Sequence, residues 1–389
     1  MSLLERFWAV PTRRLLGWGA AGLILAAALA VVVGAEAALR SRARWVPGEF
    51  VPVLRRRHRV LLPVSPEALS RGVVGLVPLL PDRGHALLGA HQLAGTLISR
   101  EVLDERGVLP DGALAWLSSF VYNGTPRQLG VDFEAVEVAS EVGPLPAWHV
   151  PAPSGGRDCV AVVVQGFGGH RAQGLRVLPA LRRSGVASLF VTFRNAREAG
   201  RWGRGYQSFG EREAEDVVAA LCWAQKAGYR RAVLYGFSMG GNAVLGALRP
   251  DLGPLPLPVS GVVLDSPALD WRDALRQNGR RQGLPPLLAG WLGRAVEWLI
   301  VRRSGQDFDR VDQLAAAPGL RVPTLLFHGT RDRTIHIGPS EEFAARRPDL
   351  VEYHRVEGAK HIRCWNVDPA RYDMALEDFL ARVLAGVPA

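Results

Sequence analysis

Tyr235-Gly236-Phe237-Ser238-Met239-Gly240-Gly241 contains a Gly-x-Ser-x-Gly pentapeptide. It follows the strand-forming run Arg231 to Tyr235 and precedes the helix-forming run Asn242 to Leu248. In such a strand–turn–helix context the serine sits on a sharp, strained turn, with its hydroxyl exposed above a sheet. Side chains at positions 236 and 240 would collide with the neighbouring strand and helix, so the turn requires glycine there. The pattern predicts that Ser238 is a nucleophile.

A serine nucleophile needs a base and an acid, which follow this turn in the order Ser, Asp or Glu, His. Val322 to Gly329 is typical of a buried strand, and Asp332 lies in the loop that leaves it. A further strand, Val351 to Val356, leads into a loop that contains His361. We expect His361 to take the proton of Ser238 and Asp332 to fix the tautomer of His361.

Each of these residues has an alternative interpretation. Asp265 also ends a strand-like run and is the rival acid, while Asp332 alone would suit a turn cap or an ion pair with a neighbouring arginine. Among the nine histidines, His328 at a buried strand end is typical of a structural residue, and His336 near the Asp332 loop is a candidate for lining the site. The ordered combination favours the catalytic interpretation.

We expect the loop after an earlier strand to stabilise the oxyanion that forms when the serine attacks a carbonyl group. Cys159 to Gln165 is a continuous apolar run, followed by Gly166-Phe-Gly-Gly-His170. The backbone N–H groups of Phe167 and Met239 are the candidates, because one donor should follow the serine and one should come from this loop. A dinucleotide fingerprint is the rival interpretation, but Arg171 replaces its third glycine and the next strand does not end in an acid.

Strand-like and helix-like segments alternate around these motifs. Leu175 to Arg183 is predicted as a helix, Ala187 to Phe193 as a strand and Glu211 to Ala227 as an amphipathic helix. Such alternation is typical of an α/β protein with a mostly parallel, doubly wound sheet.

Residues 268–320 break the alternation. They form Trp- and Arg-rich helical pieces around Pro285-Pro286, and we expect a small helical cap there. Trp271, Trp291 and Trp298 are candidates for lining an apolar acyl pocket, although aromatic residues at helical spacing also suit plain packing.

Residues from about 130 to 389 resemble the α/β-hydrolase superfamily, and in particular a bacterial branch related to serine aminopeptidase, prolyl-oligopeptidase-like and acylglycerol-lipase-like groups. Besides the three motifs, the resemblance rests on four segments: Gly143 to Trp148, Leu264 to Pro267, Asp270-Trp271 and Cys364 to Pro369. It implies the α/β-hydrolase fold, with Ser238, Asp332 and His361 as the triad. The chain departs from its relatives at Gln165, where they often have histidine, and at Ala196, where they often have an acid.

The N-terminus contains a second strong signal. Leu15 to Ala35 has no charged residue over 21 positions, which is long enough for a helix to cross a bilayer. Arginines flank both ends, and we predict a single-pass anchor within residues 1–44, in a bacterial inner membrane. The arginines after the span favour a cytoplasmic catalytic domain. A cleaved signal peptide is the alternative, because Ala35-Glu-Ala37 resembles a cleavage site.

Residues 45–140 are predicted to form a small β-rich module ahead of a catalytic domain at 141–389. Short runs such as Arg59 to Val64, Gly72 to Val77 and Leu93 to Val102 suggest antiparallel strands between prolines and glycines. Gly107 to Gly124 is predicted as a helix or loop connection. The resemblance suggests that such a module restricts access to the site.

Composition limits the classes of function. The chain has 389 residues, 48% hydrophobic, and a net charge of +10 carried almost entirely by arginine. Without a recognised nucleic-acid module, anionic lipid headgroups are the better partner for this charge than nucleic acid. Cys159, Cys222 and Cys364 have unrelated spacings, which indicate neither a disulfide framework nor a metal site. No cofactor is expected.

Together these patterns predict a membrane-anchored serine hydrolase that cleaves a carboxylic ester, including a lipid-like one, through an acyl-enzyme on Ser238. A peptidase, a thioesterase or an acyltransferase would use the same triad. A non-catalytic binding protein with this fold is the alternative from another class.

Overall fold

Two β-sheets form in the part of the chain that the computed structural model describes, namely residues 29, 31–36, 38–40, 48–79, 84–107, 109–155 and 158–385. The smaller sheet belongs to an N-terminal β-rich module. The larger sheet, with helices on both faces, forms the scaffold of the site.

The module is an antiparallel sheet of seven strands: β1 (Glu49–Pro52), β2 (Leu54–Arg56), β3 (Arg59–Pro63), β4 (Val74–Pro78), β5 (His85–Ala94), β6 (Leu97–Arg106) and β7 (Leu114–Ser118). Their order across the sheet is β1-β7-β4-β5-β6-β3-β2. Aliphatic side chains from six of these strands form a separate buried core that includes Val60, Leu76, Leu88, Ile98 and Leu117. The module therefore has its own hydrophobic core.

Two sequence predictions within the module are wrong. Leu93 to Val102 is not one strand, because the chain turns at Gly95 with φ of +63° between β5 and β6. Residues 107–124 are not only a connection, because they include β7, which pairs with both β1 and β4. This strand is short and is bounded by turn-forming residues, so its sequence resembles a loop.

The larger sheet has eight strands: β8 (Glu134–Ser140), β9 (Gly143–Val150), β10 (Cys159–Val164), β11 (Ala187–Val191), β12 (Arg231–Phe237), β13 (Val259–Asp265), β14 (Thr324–Gly329) and β15 (Val351–Val356). Their order is β15-β14-β13-β12-β10-β11-β9-β8. The six strands from β10 to β15 run parallel to one another, whereas β9 pairs antiparallel with both β11 and β8. Residues 134–140, assigned to the module from the sequence, thus pair within the larger sheet.

The helices are α1 (Leu178–Arg183), α2 (Glu213–Lys226), α3 (Met239–Ala247), α4 (Trp271–Arg281), α5 (Pro286–Ser304), α6 (Gln313–Ala316), α7 (Gly338–Arg346), α8 (Cys364–Val367) and α9 (Pro369–Ala385). Alternate residues of β10 pack on opposite faces, because successive side chains of a strand point in opposite directions. Val160, Val162 and Val164 share a core with α2 and α3, whereas Ala161 and Val163 share one with α1 and α9. This is the doubly wound arrangement that the sequence predicts.

Helices α4 and α5 lie between β13 and β14 in the chain, within the segment predicted as a cap. A helical segment at residues 31–36 packs against them, and Ala35 lies in a buried cluster with Val296 and Ile300 of α5. Most of the predicted span, residues 15–28, lies outside the described residues. Among the residues described, no helix combines the length and the apolar character needed to cross a membrane.

Candidate active site

Ser238 lies on the turn between β12 and α3, with φ of +52° and ψ of −116°. This conformation is strained for a residue with a side chain, and such strain clusters at functional sites. A Cβ atom at Gly236 would lie 2.5 Å from the backbone oxygen of Gly240, and one at Gly240 would lie 2.5 Å from the oxygen of Gln165. The two glycines therefore allow the backbone contacts that hold the serine in place.

His361 lies in the loop between β15 and α8 and contacts both other predicted triad members. Its Nε2 is 2.9 Å from Oγ of Ser238, and its Nδ1 is 2.6 Å from Oδ2 of Asp332. The ionised carboxylate can only accept, so Nδ1 carries the proton and Nε2 accepts from the serine hydroxyl. The structure thus brings together three side chains that are up to 123 positions apart in sequence.

Asp332 is held by the backbone of its own loop. Its Oδ1 accepts hydrogen bonds from the N–H groups of Thr334 at 2.8 Å and Ile335 at 2.9 Å. The side chain is fully buried. The carboxylate is therefore fixed in orientation before it meets His361.

A second histidine, His328 at the end of β14, also faces Asp332. Its Nε2 lies 3.3 Å from Oδ2 of Asp332 and 3.3 Å from the backbone oxygen of Ile335. Both partners are acceptors, so this nitrogen donates, while Nδ1 lies 2.7 Å from the hydroxyl of Ser340. Burial alone would raise the pKa of Asp332, but His361 and His328 outweigh it and hold that pKa well below its usual value. The sequence indicated a structural role and gave no sign of this contact beyond the four-residue spacing.

The rival acid, Asp265, makes its hydrogen bonds elsewhere. Its two oxygens accept from the hydroxyl of Ser266 at 3.0 Å and from that of Tyr372 at 3.1 Å. Burial raises its pKa. Ser266 in turn accepts from the N–H of Ile362 at 3.0 Å. Asp265 thus supports the loop of His361 from below, and Asp332 is the carboxylate that contacts the histidine.

The predicted oxyanion loop passes directly beside the serine. A Cβ atom at Gly166 would lie 3.1 Å from Cβ of Ser238. The N–H of Gly166 donates to the side-chain oxygen of Gln173 at 3.0 Å, which anchors the loop. Phe167 follows Gly166, and Met239 follows the serine, so both candidate donors belong to backbone segments adjacent to Ser238.

A charged cluster that the sequence analysis missed lies where this loop ends. Nε2 of His170 is 3.0 Å from Oε1 of Glu198, and Arg171 pairs with Oε2 of Glu198 at 2.9 Å. Burial opposes ionisation of Glu198, but His170 and Arg171 outweigh it and lower its pKa to about 2. The guanidinium of Arg171 also lies 4.3 Å from the ring centre of Trp148 on β9. The cluster ties the loop to β9, the strand next to the edge of the sheet.

A model of the alpha/beta hydrolase family matches residues 161–373, which is more than half of the 389 residues. The chain belongs to the alpha/beta hydrolase family. This confirms the family expected from the motifs at Ser238, Asp332 and His361. The segments that contain these three residues all fall within the matched range.

Solved structures share the hydrolase fold. Two crystal forms of esterase Pf2001 from Pyrococcus furiosus are similar to this chain. One has a TM-score of 0.51 and 22% identity, and the alignment covers 67% of this chain and 96% of the esterase. The other has a TM-score of 0.52 and 23% identity, and the alignment covers 67% of this chain and 95% of the esterase. Est1E from Butyrivibrio proteoclasticus is similar with a TM-score of 0.47 and 18% identity, over 64% of this chain and 99% of the other. No curated protein matches the sequence.

The cap of this hydrolase contacts the site through α4. Arg281 donates to the backbone oxygen of Asp332 at 3.1 Å, and the indole N–H of Trp271 donates to the oxygen of Phe209 at 2.8 Å. Trp291 and Trp298 of α5 are exposed on the molecular surface instead of enclosing an acyl pocket. His336 is also partly exposed, 3.7 Å from Asp273 of α4. The tryptophan spacing therefore predicted helices correctly, but Trp291 and Trp298 neither line a pocket nor pack in the core.

The β-rich module contacts the loop that carries His361. Its 65–73 loop, between β3 and β4, reaches this segment through Glu67, which pairs with Arg363 at 3.0 Å. The N–H of Val73 donates to the oxygen of Asn366 at 2.7 Å, and the Asn366 amide donates back to the oxygen of Val73 at 2.7 Å. Fully buried Arg100 binds three backbone oxygens of the same loop, those of Ala68, Ser70 and Gly72.

In this alpha/beta hydrolase, contacts from both sheets' parts of the chain therefore meet at the segment that follows His361. Arg176, buried beneath the loop, donates to the oxygen of Ile362 at 2.7 Å from the catalytic side. The module holds the next residues, Arg363 and Asn366, from the other side.

In the part of the chain that the structure describes, no group of three His, Cys, Asp or Glu side chains is arranged to bind a metal.

Proposed function

We propose that this alpha/beta hydrolase is a membrane-anchored serine hydrolase that cleaves carboxylic esters through an acyl-enzyme. The observation that carries the proposal is the continuous hydrogen-bonded chain from Ser238 through His361 to Asp332, with distances of 2.9 and 2.6 Å. A nucleophile, a base and a group that orients the base within hydrogen-bond reach are what acyl transfer needs.

In the proposed first half-reaction, Oγ of Ser238 attacks the ester carbonyl carbon while Nε2 of His361 takes the hydroxyl proton. The oxyanion that forms accepts hydrogen bonds from the N–H groups of Phe167 and Met239. His361 then gives its proton to the departing alkoxide, which leaves as the alcohol. The acyl group remains on Ser238, and Asp332 stabilises the imidazolium during both proton transfers.

In the second half-reaction, water attacks the acyl carbon and loses a proton to Nε2 of His361. A second tetrahedral intermediate collapses, Ser238 leaves with that proton, and the carboxylic acid is released. The contact of Asp332 with His328 supports this assignment, because His328 and His361 together lower the pKa of this carboxyl against the effect of burial, so it stays ionised while His361 cycles. No step needs a cofactor.

The ester substrate and the membrane location rest on separate support. The similar structure of Pf2001 is that of an esterase, and esters are the substrate class we propose here. The anchor rests on the uncharged run Leu15 to Ala35 and on its flanking arginines. The excess of arginine after this run supports a catalytic domain on the cytoplasmic side of a bacterial inner membrane.

The test of catalysis is hydrolysis of p-nitrophenyl esters of increasing chain length by the detergent-solubilised full chain, beside Ser238→Ala. We expect the substitution to reduce kcat by about 10⁶-fold. A kcat in Ser238→Ala within tenfold of that of the unsubstituted chain would refute the proposal. Amide and thioester analogues in the same assay separate the esterase from the peptidase and thioesterase alternatives.

Location is tested in intact spheroplasts with an externally added protease. We expect the full chain to sediment with membranes and its catalytic domain to stay intact until the membrane is permeabilised. Release of the chain by carbonate extraction would contradict the anchor. Digestion from outside would contradict the cytoplasmic orientation.

A further inference from the structure

Helix α5 has apolar residues on two opposite faces. Ala289, Gly293, Val296 and Ile300 are buried against the rest of the protein. Leu287, Trp291, Trp298 and Val301 recur at spacings of four, seven and three residues, which places them along the other face of a helix with 3.6 residues per turn. We call these four residues the α5 stripe.

The α5 stripe is unusually exposed. Leu287 is 91%, Trp291 59% and Trp298 65% exposed, and no residue that the structure describes covers them. Single exposed apolar residues are ordinary, but a contiguous row that includes two tryptophans marks an interaction surface. Leu288, beside the stripe, is also exposed.

The buried face of α5 binds the end of the predicted membrane span. Ala35 and Leu39 are fully buried in a cluster with Val296, Ile300 and Phe308. This contact fixes the last residues of the apolar run Leu15 to Ala35 directly against the helix that carries the stripe.

Polar contacts fix this junction as well. Glu36 pairs with Arg303 of α5 at 3.2 Å, and the N–H of Gln207 donates to the oxygen of Leu39 at 2.9 Å. Leu29 and Val32, which precede the junction, are themselves exposed apolar residues. Exposed apolar side chains therefore lie both on α5 and on the last part of the apolar run that packs against it.

Charge on α5 fits the same surface. Arg294 lies within the stripe, and Arg302 lies beside its C-terminal end; both are exposed. Tryptophan and leucine together with arginine on one helix are typical of helices that lie in the headgroup region of a bilayer. Tryptophan prefers that interface, and arginine is attracted by anionic lipids.

We infer that the α5 stripe docks onto a lipid bilayer that contains anionic lipid, with α5 lying in the membrane surface. This rests on the proposed function only for the anchor that brings the domain to the membrane. The helix that precedes α5 in the cap, α4, contacts the loop of Asp332 through Arg281, so the cap connects the docked helix to the candidate active site. The ester then reaches Ser238 from the bilayer and not from bulk water.

The direct test places a nitroxide label on the full chain in vesicles of phosphatidylethanolamine and phosphatidylglycerol, using Leu287→Cys and Trp298→Cys. Leu93→Cys and Met374→Cys are matched controls, since these residues are 77% and 60% exposed on β5 and α9. The unsubstituted chain gives the background from Cys222, the cysteine that is not buried. Labels on α5 should collide more with oxygen than with a water-soluble nickel chelate, and both controls should show the reverse.

Nickel-accessible labels at positions 287 and 298 would overturn the inference. Labels shielded from both reagents would overturn it too, because they would show that protein, either a second copy or residues 1–28, covers the stripe.

A second experiment separates docking from catalysis. The double substitution Trp291→Glu with Trp298→Glu should leave hydrolysis of soluble p-nitrophenyl acetate unchanged. It should lower hydrolysis of an ester dissolved in the same vesicles by about tenfold, because the two tryptophan side chains no longer insert into the bilayer and the domain docks more weakly. Met374→Glu should change neither rate. Equal loss on both substrates would contradict docking. Absence of any hydrolysis by the unsubstituted chain would refute the proposed function, and the label experiment would still decide docking.

Discussion

The contact between Glu67 and Arg363 predicts that the β-rich module controls the rate of the catalytic step. The two side chains are only 14% and 21% exposed, and Arg363 is two residues from His361. Burial alone would raise the pKa of Glu67, but Arg363 outweighs it and lowers the pKa. Glu67→Gln removes the charge and leaves Arg363 partly buried without its counter-ion.

The size of the effect follows from this partial burial. Losing one partner costs about 3–5 kcal/mol for a fully buried pair and up to about 1 kcal/mol for an exposed one, so we expect about 2 kcal/mol here. A shift of about 1 Å in a catalytic group can cost up to about 10²-fold in rate. Ser266 and Arg176 still hold Ile362, which limits the movement of His361. We therefore expect kcat to fall about tenfold, or about 1.4 kcal/mol, with KM unchanged.

The assay is steady-state hydrolysis of a soluble p-nitrophenyl ester by the full chain. Glu105→Gln is the matched control, because it breaks another partly buried pair, with Arg55, that lies inside the module and does not involve the loop of His361. Charge reversal, Glu67→Arg with Arg363→Glu, should restore most of kcat. The reasoning is refuted if Glu67→Gln leaves kcat unchanged, or if Glu105→Gln lowers it as much.

Three further predictions follow from the same structure. Asp332→Asn should lower kcat by about 10⁴-fold in the ester assay, because the amide no longer fixes the histidine tautomer, and a loss below tenfold would contradict the assigned role. Burial lowers the pKa of His85 to about 4, below the unfolded value of about 6.5, so the unfolded state binds more protons between these values. The contribution of His85 to the free energy of unfolding should then fall by about 3 kcal/mol as the pH drops from 6.5 to 4. In urea titrations, His85→Phe should remove this part of the pH dependence. The same change of unfolding free energy with pH in the variant would contradict the prediction. Gly236→Ala should lower the free energy of unfolding by about 1–3 kcal/mol, because its Cβ would lie 2.5 Å from backbone atoms. Gly200→Ala, where a Cβ atom has open space, should change it little. Equal thermal midpoints for the two variants would contradict this prediction.

The sequence was sufficient for the six parallel strands of the larger sheet and for the choice of the candidate triad. Parallel strands buried on both faces are continuous apolar runs, so β10, β12 and β14 were recognisable without knowledge of their partners. The carboxyl ends of such strands meet at one edge of the sheet. Ser238 and Asp332 each follow such a strand in the sequence, so they were expected to lie close together. The assignment of catalytic roles stays a prediction.

Features that depend on contacts between distant segments were not predictable. Glu67 and Arg363 are 296 positions apart, and neither lies in a motif. His328 is only four positions from Asp332, but a polar residue at a strand end gave no other sign that it contacts the same carboxylate as His361. For α5, the helical spacing of its tryptophans predicted a helix but not which face packs on protein, because an exposed apolar stripe has the same pattern as one that faces a core.

The most direct test of the central claim is labelling of the full chain in detergent with a fluorophosphonate, followed by mass spectrometry of the adduct. The reagent modifies a serine only when a neighbouring base activates it. We predict a single adduct on Ser238 and none in Ser238→Ala. A folded chain that takes no label beside a reactive serine hydrolase, or that takes it on another residue, would contradict the claim that Ser238, His361 and Asp332 form a working triad.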